Sequence, residues 1–180
     1  LIDKVLKRAE DEYIIQAVVI SVAGVVKEAA RIVITAEKIR WQNVDLVQEL
    51  DYLDLPIIVR NDVNFIAAYE RQHYPEDVSF MIVKLDIGIG SSFVLNSGSL
   101  KTTSKVAGEL GHFSIDSPEE RQCVCGKKNC LTKFISIEAL EQTYGASYDV
   151  IVEDVKNGKA EAIALIEQMC EYLAPVLANV

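Results

Sequence analysis

Three of the chain's four cysteines fall in one short run, Cys123-Val124-Cys125-Gly126-Lys127-Lys128-Asn129-Cys130, and His112 stands shortly upstream. Thiolates and an imidazole at this spacing are soft donors, and in a chain kept reduced they favour tetrahedral zinc over disulfides. Gly126, between the ligands, permits the tight backbone turn that a metal knuckle needs. The competing reading is a reduced cysteine cluster without metal, or a disulfide. Four protein ligands close the coordination sphere, so such an ion would hold structure and activate no water. Cys170 lies on the apolar stripe of a helical segment and is expected in the core.

A second group is Arg60-Asn61-Asp62-Val63-Asn64, which follows the short apolar strand pattern Ile57-Ile58-Val59 and opens a helical pattern over 65–74. Polar residues at the carboxyl end of a strand are where α/β proteins gather ligands. Asp62 has two readings here, a ligand contact or a helix cap.

The elements that must position these groups follow from periodicity. Residues 1–12 have helical spacing, and 14–22 form a nearly unbroken β-branched run that predicts a buried strand. A turn is expected over 23–26 and a short strand over 31–35. Val44, Leu46, Val47, Leu50 and Leu53 mark an amphipathic helix ended by Pro56. Strands are predicted over 78–85 and 93–95, with a hairpin-like turn at Asn96-Ser97-Gly98. Ser136 can cap a helix ending near Gly145, Gly158 closes a second, and from Lys159 a long stripe of apolar residues begins. Strands followed by helices predict a layered α/β fold.

Half the 180 residues are apolar and a quarter charged, enough for one core or two small lobes and unlike a disordered chain. No apolar run approaches a membrane span and no leader pattern is present, so a cytoplasmic protein is expected. A net charge of −9 argues against a broad nucleic-acid surface on these residues. The chain opens on a helical pattern without Met and stops inside a helical repeat, so a fragment of a larger protein is expected.

Gly108-Glu109-Leu110-Gly111-His112, followed by Cys123-x-Cys125-Gly126-x-x-x-Cys130-Leu131, resembles the signature of the ROK family of repressors, open reading frames and kinases. Asn61-Asp62-x-Asn64 is similar to that family's catalytic segment, and Gly88 and Gly90 resemble its second phosphate loop. The resemblance implies an actin-like, ribonuclease-H-like ATPase fold, present in part, with a zinc-binding loop. Residues 1–60 would end the first lobe and 61–180 form a truncated second lobe, with a sugar between the lobes. It further implies sugar contacts from Asn61, Asp62, Glu109 and His112, with Thr132 at a fifth sugar-binding position, and zinc on His112, Cys123, Cys125 and Cys130. His112 would then serve metal and sugar together. In a kinase, Asp62 would accept the proton of the attacking hydroxyl, with ATP and Mg2+ as co-reactants.

The departures from the kinase pattern cluster at the phosphate side. Asp86-Ile87 stands where Gly-Thr is usual, placing an acid beside a triphosphate. Thr132 replaces a sugar-binding Glu, Arg60 replaces another Glu, Ala23 replaces the Pro of a Pro-Gly turn, and Lys38 an Asn. A retained Asp62 with an altered phosphate loop resembles the sugar-responsive repressors, which bind DNA through an N-terminal segment absent here. An ATP-dependent sugar kinase is the alternative. The family resemblance implies a homo-oligomer, and leaves the sugar open, pentoses such as xylose and amino sugars included.

Overall fold

The computed structural model describes residues 2–9, 12–96, 98, 99 and 109–179. They gather into two compact units divided after Pro75, so Asn61, Asp62 and the helix they open belong to the first.

The first unit begins with helix α1 (Ile2–Ala9) and strand β1 (Val18–Val22). Strands β2 (Val25–Lys27), β3 (Ile32–Ala36) and β4 (Trp41–Asp45) form an antiparallel meander. Helix α2 (Leu46–Glu49), strand β5 (Ile57–Asn61) and helix α3 (Asp62–Glu70) complete it. β5 pairs in parallel with β1, from Val18 opposite Ile57 to Val22 opposite Asn61. Val22, Val33, Leu46, Ile57 and Val59 form its buried core, and each such side chain contributes about 1.5–3 kcal/mol when fully buried.

Three sequence expectations change here. The run from Ile14 is strand only from Val18, where pairing with β5 starts, and Ile14 itself is 92% exposed. Val25 and Val26, expected in a turn, open β2 against β3. The helix expected from Val44 is shorter, because Val44 pairs with Val33 in the meander. Asp45 then caps α2, accepting the Val47 and Gln48 N–H groups at 3.0 and 3.1 Å, and a cap there rules out helix before it.

The second unit starts with β6 (Phe80–Leu85), β7 (Ile89–Leu95) and β8 (Gly98–Ser99), an antiparallel sheet. The expected turn between β7 and β8 includes Ser97, which lies outside the described residues. Helices α4 (Thr132–Ile135), α5 (Ile137–Tyr144), α6 (Tyr148–Lys156) and α7 (Ala160–Ala178) follow. The Ser136 hydroxyl accepts the Ala139 N–H at 3.3 Å, and Gly145 ends α5 at φ 79°, both as the sequence predicts. Ile89, Leu110, Leu131, Phe134, Ile135 and Val176 form one core, and Leu140, Ile151 and Leu165 a second. On α7 the buried positions are Ala162, Leu165 and Val176, and Cys170 is exposed. The expectation of a core Cys170 is corrected: an apolar stripe wider than the buried face included it. Among the described residues, no helix is long and apolar enough to cross a membrane.

Candidate metal and ligand site

The Cys-His segment contains little regular structure and is shaped by turns. Leu110–His112 is a single tight helical turn, with the His112 N–H donating to the Glu109 carbonyl at 3.0 Å. Gly111 seats this turn on β7: a Cβ there would lie 2.5 Å from the Ile89 carbonyl oxygen. Ile115 N–H donates to the Asn129 carbonyl, and Leu131 N–H to that of Phe113, at 2.9 and 2.8 Å. Within the knuckle, Cys123 N–H donates to the Lys127 carbonyl and Gly126 N–H to that of Cys123, both at 2.9 Å. Gly126 takes φ 88°, the left-handed conformation that its lack of a side chain permits.

These turns bring the four expected ligands together. One donor atom from each of His112, Cys123, Cys125 and Cys130 lies within 4.8 Å of the others. His112 Nδ1 is 3.5 Å from Cys123 Sγ, and Cys125 Sγ is 3.4 Å from Cys130 Sγ. Tetrahedral zinc, with Zn–S of about 2.3 Å and Zn–N of about 2.0 Å, spaces its ligand atoms roughly 3.5–3.8 Å apart. The group can therefore hold a metal with small adjustment. Cys130 is wholly buried and its thiol is pushed up to about 12 by burial and by the neighbouring thiols of Cys125 and Cys123. At Cys125 burial also opposes ionisation, but the Lys127 N–H and the two neighbouring thiols outweigh it and lower that thiol. Zinc takes cysteines as thiolates, so a cation bound here would displace the thiol protons.

The two nitrogens of the imidazole have different surroundings. Nδ1 faces the cysteines, while Nε2 lies 4.0 Å from Glu109 Oε2, beyond direct hydrogen-bond range. Glu109 and His112 side chains are each about a third exposed, at 29% and 30%. Thr132 opens α4, half-buried, two residues after Cys130.

In the first unit, the N-terminus of α3 is built from side chains. Asn61 is the cap: its Oδ1 accepts the Val63 and Asn64 N–H groups at 2.9 and 3.4 Å, and its Nδ2 donates to the Gly24 carbonyl at 2.8 Å. A Cβ on Gly24 would lie 2.3 Å from the Thr35 carbonyl oxygen, so only glycine lets that carbonyl approach. The capping alternative for Asp62 is thus corrected. Asp62 is the first helical residue, its Oδ1 3.0 Å from the Val63 N–H, and Asn64 Nδ2 donates to Glu28 at 2.8 Å.

Gly88 lies in the β6–β7 turn, and a Cβ there would meet open space; Gly90 lies in β7. Beside them Asp86 Oδ1 accepts the Ile87 N–H at 2.8 Å and Oδ2 is 2.9 Å from Lys84 Nζ. The Lys84 ammonium and then the Ile87 N–H hold the Asp86 carboxyl below the ordinary carboxylate range.

Two contributors were missed by sequence reasoning. Lys84 is two residues before Asp86 along strand geometry, so period-two alternation could have paired them. Arg121 stacks over the Phe134 ring at 4.5 Å and donates to the Lys133 carbonyl at 2.8 Å, bracing the segment that carries Cys123. No motif marks it.

The ROK family model matches residues 1–180. A xylose repressor of Caldicellulosiruptor bescii is 29% identical over 146 residues, covering 78% of this chain and 36% of that protein. A glucokinase of Halalkalibacterium halodurans is 26% identical over 167 residues, covering 80% and 51%. Among solved structures, a ROK family transcriptional regulator described as a homologue of the E. coli MLC protein superposes with TM-score 0.86 at 24% identity. That match covers 99% of this chain and 50% of the other. The chain thus spans between about a third and a half of the length of these relatives.

Proposed function

Since the chain belongs to the ROK family, whose α/β fold it carries, we propose that it is the sugar-sensing effector domain of a transcriptional repressor. Its DNA-binding segment would lie outside these residues. The observation that carries this reading is the Asp86 carboxylate, held by Lys84 and the Ile87 N–H at the turn that resembles the second phosphate loop of the kinases. Likeness to a xylose repressor and to a transcriptional regulator supports it. The rest is an α/β scaffold of actin-like ATPase type, with the end of one lobe and part of the next, acting as a homo-oligomer.

In this reading Asn61, Asp62, Glu109, His112 and Thr132 are the sugar contacts. His112, Cys123, Cys125 and Cys130 hold a structural Zn2+. With Nδ1 on the metal, His112 keeps its hydrogen on Nε2, ready to donate to a sugar hydroxyl oxygen while Glu109 accepts from another. A sugar shifts the repressor only so far as it binds two states with different affinity.

The kinase reading keeps one specific support, the likeness to a glucokinase together with Asp62 at the carboxyl end of β5. There Asp62 would take the hydroxyl proton, and ATP with Mg2+ would bind at Gly88 and Gly90. Calorimetry of the full-length protein with a sugar panel, with and without Mg-ATP, separates the two. Sugar binding indifferent to ATP supports the sensor. Sugar phosphorylation that Asp62→Asn abolishes defeats it.

A further inference from the structure

The four donor atoms of the knuckle fall into two unlike pairs. Cys123 Sγ lies against His112 Nδ1 at 3.5 Å, and Cys125 Sγ lies against Cys130 Sγ at 3.4 Å. Within the sulfur pair the surroundings differ. Cys130 is wholly buried, and the backbone is bonded on both sides of it, at the Asn129 carbonyl by Ile115 and at the Leu131 N–H by Phe113. Cys125 is the exposed member of the four, beside Val124, which is 72% exposed. A closed structural metal site needs no solvent-facing thiol. A sulfur that solutes can reach, set beside a sheltered second sulfur, is instead the arrangement of an oxidisable pair.

We propose that Cys125 is an oxidation site and Cys130 its resolving partner, so that a peroxide converts the metal knuckle into a disulfide and unloads it. Both cysteines are thiolates when they hold the metal. The Cys125 thiolate attacks one peroxide oxygen; the O–O bond breaks, a sulfenic acid forms and hydroxide leaves. The Cys130 thiolate then attacks the Cys125 sulfur, forming the S–S bond and releasing a second hydroxide. Two electrons pass from the sulfurs to the peroxide, and the hydroxides take up protons as water. The sulfurs need approach by only roughly 1.4 Å, since an S–S bond is about 2.05 Å long. Residues 126–128 between them are exposed, so closure meets no packed core there. Cys123 and His112 remain, too few to close a tetrahedral sphere. The inference rests on the metal reading and adds a second input to the sensor: oxidation frees the His112 ring from its metal, and sugar affinity falls.

The test uses the full-length, zinc-loaded protein carrying Cys170→Ser, which removes the exposed thiol of α7. Hydrogen peroxide is added, released zinc is read with a chromogenic chelator, and samples are trapped with iodoacetamide and cleaved with trypsin. Cleavage after Arg121, Lys127, Lys128 and Lys133 places Cys125 and Cys130 in separate peptides, so their disulfide appears as a linked pair. Zinc release and the linked pair should rise together, and dithiothreitol with added zinc should reverse both. Cys125→Asp keeps a zinc-binding side chain without the sulfur, and should slow zinc release roughly tenfold or more. With or without zinc, that variant should form no linked pair. Cys123 shares the Cys125 peptide, so a pair that persists makes Cys123 the partner and overturns the proposal. Zinc retained under peroxide overturns it too, as does zinc lost with Cys125 carried to sulfinic acid and no linked pair. Protein that purifies without zinc defeats the metal reading and this proposal with it. Sugar titration without peroxide reads the sensor proposal separately.

Discussion

The cap of α3 and the Cys-His knuckle are both candidate ligand sites, but they are built in opposite ways. At the cap, every named bond has a local structural purpose: Asn61 satisfies two helix N–H groups and the Gly24 carbonyl. A protein with no ligand could keep the same arrangement. In the knuckle, four metal-seeking side chains converge within 4.8 Å, and two of the four are buried. Backbone needs do not call for three thiols in contact. The difference teaches that proximity is informative where folding alone would not produce it. The knuckle therefore carries the inference of a bound cation, and the cap carries it only with help from elsewhere.

Breaking that contrast is most direct at the knuckle. Cys130→Ser should abolish stoichiometric zinc in purified protein and sharply lower the melting temperature of the second unit. Structural zinc sites can supply on the order of 10 kcal/mol of apparent binding energy in small peptides. Unchanged melting after metal removal by a chelator would leave a cysteine cluster without a structural ion. Gly111→Ala comes next. Its Cβ would press on the Ile89 carbonyl at 2.5 Å, and a loss of about 1–3 kcal/mol is expected in denaturant unfolding.

At the cap the two neighbouring residues should separate. Asn61→Ala removes the capping oxygen and the donor to Gly24, at a cost of about 1–2 kcal/mol in denaturant melts. Asp62→Asn should alter stability by less than about 1 kcal/mol while weakening sugar binding, by calorimetry, about tenfold or more. Equal stability losses with unchanged sugar affinity would make both residues structural. The smallest effect concerns pH. Since the Asp86 carboxyl is depressed in the folded state, its contribution is present above the ordinary carboxylate range and is lost as pH falls through the depressed value. The Ile87 amide shift should follow with a midpoint below that range; a midpoint at the ordinary value contradicts the Lys84 contact.

Much of this was legible in the sequence, for reasons that differ by region. The knuckle was readable because soft ligands at short spacing leave few alternatives. The Ser136 cap and the Gly145 stop were readable because each acts through its own backbone. The shortened helix at Val44 was not, because strand pairing with Val33 outweighed a helical apolar pattern. Cys170 was misplaced because periodicity locates a stripe but not its edges. Asn61 and Asp62 were seen as a pair, but which one caps depends on a bond to the Gly24 carbonyl, 37 residues away. Nor could Asp86 be seen turning onto Lys84 and the Ile87 N–H; the sequence showed only an acid where a donor is usual.

The central claim is that a metal-held pocket binds a sugar without nucleotide chemistry. One measurement bears on it most directly: calorimetric titration of the zinc-loaded, full-length protein with a panel of pentoses, hexoses and amino sugars, repeated with Mg-ATP and again after chelation. The account predicts saturable binding of at least one sugar, unchanged by Mg-ATP and lost with the metal. Formation of a sugar phosphate in the Mg-ATP titration, abolished by Asp62→Asn, would contradict it.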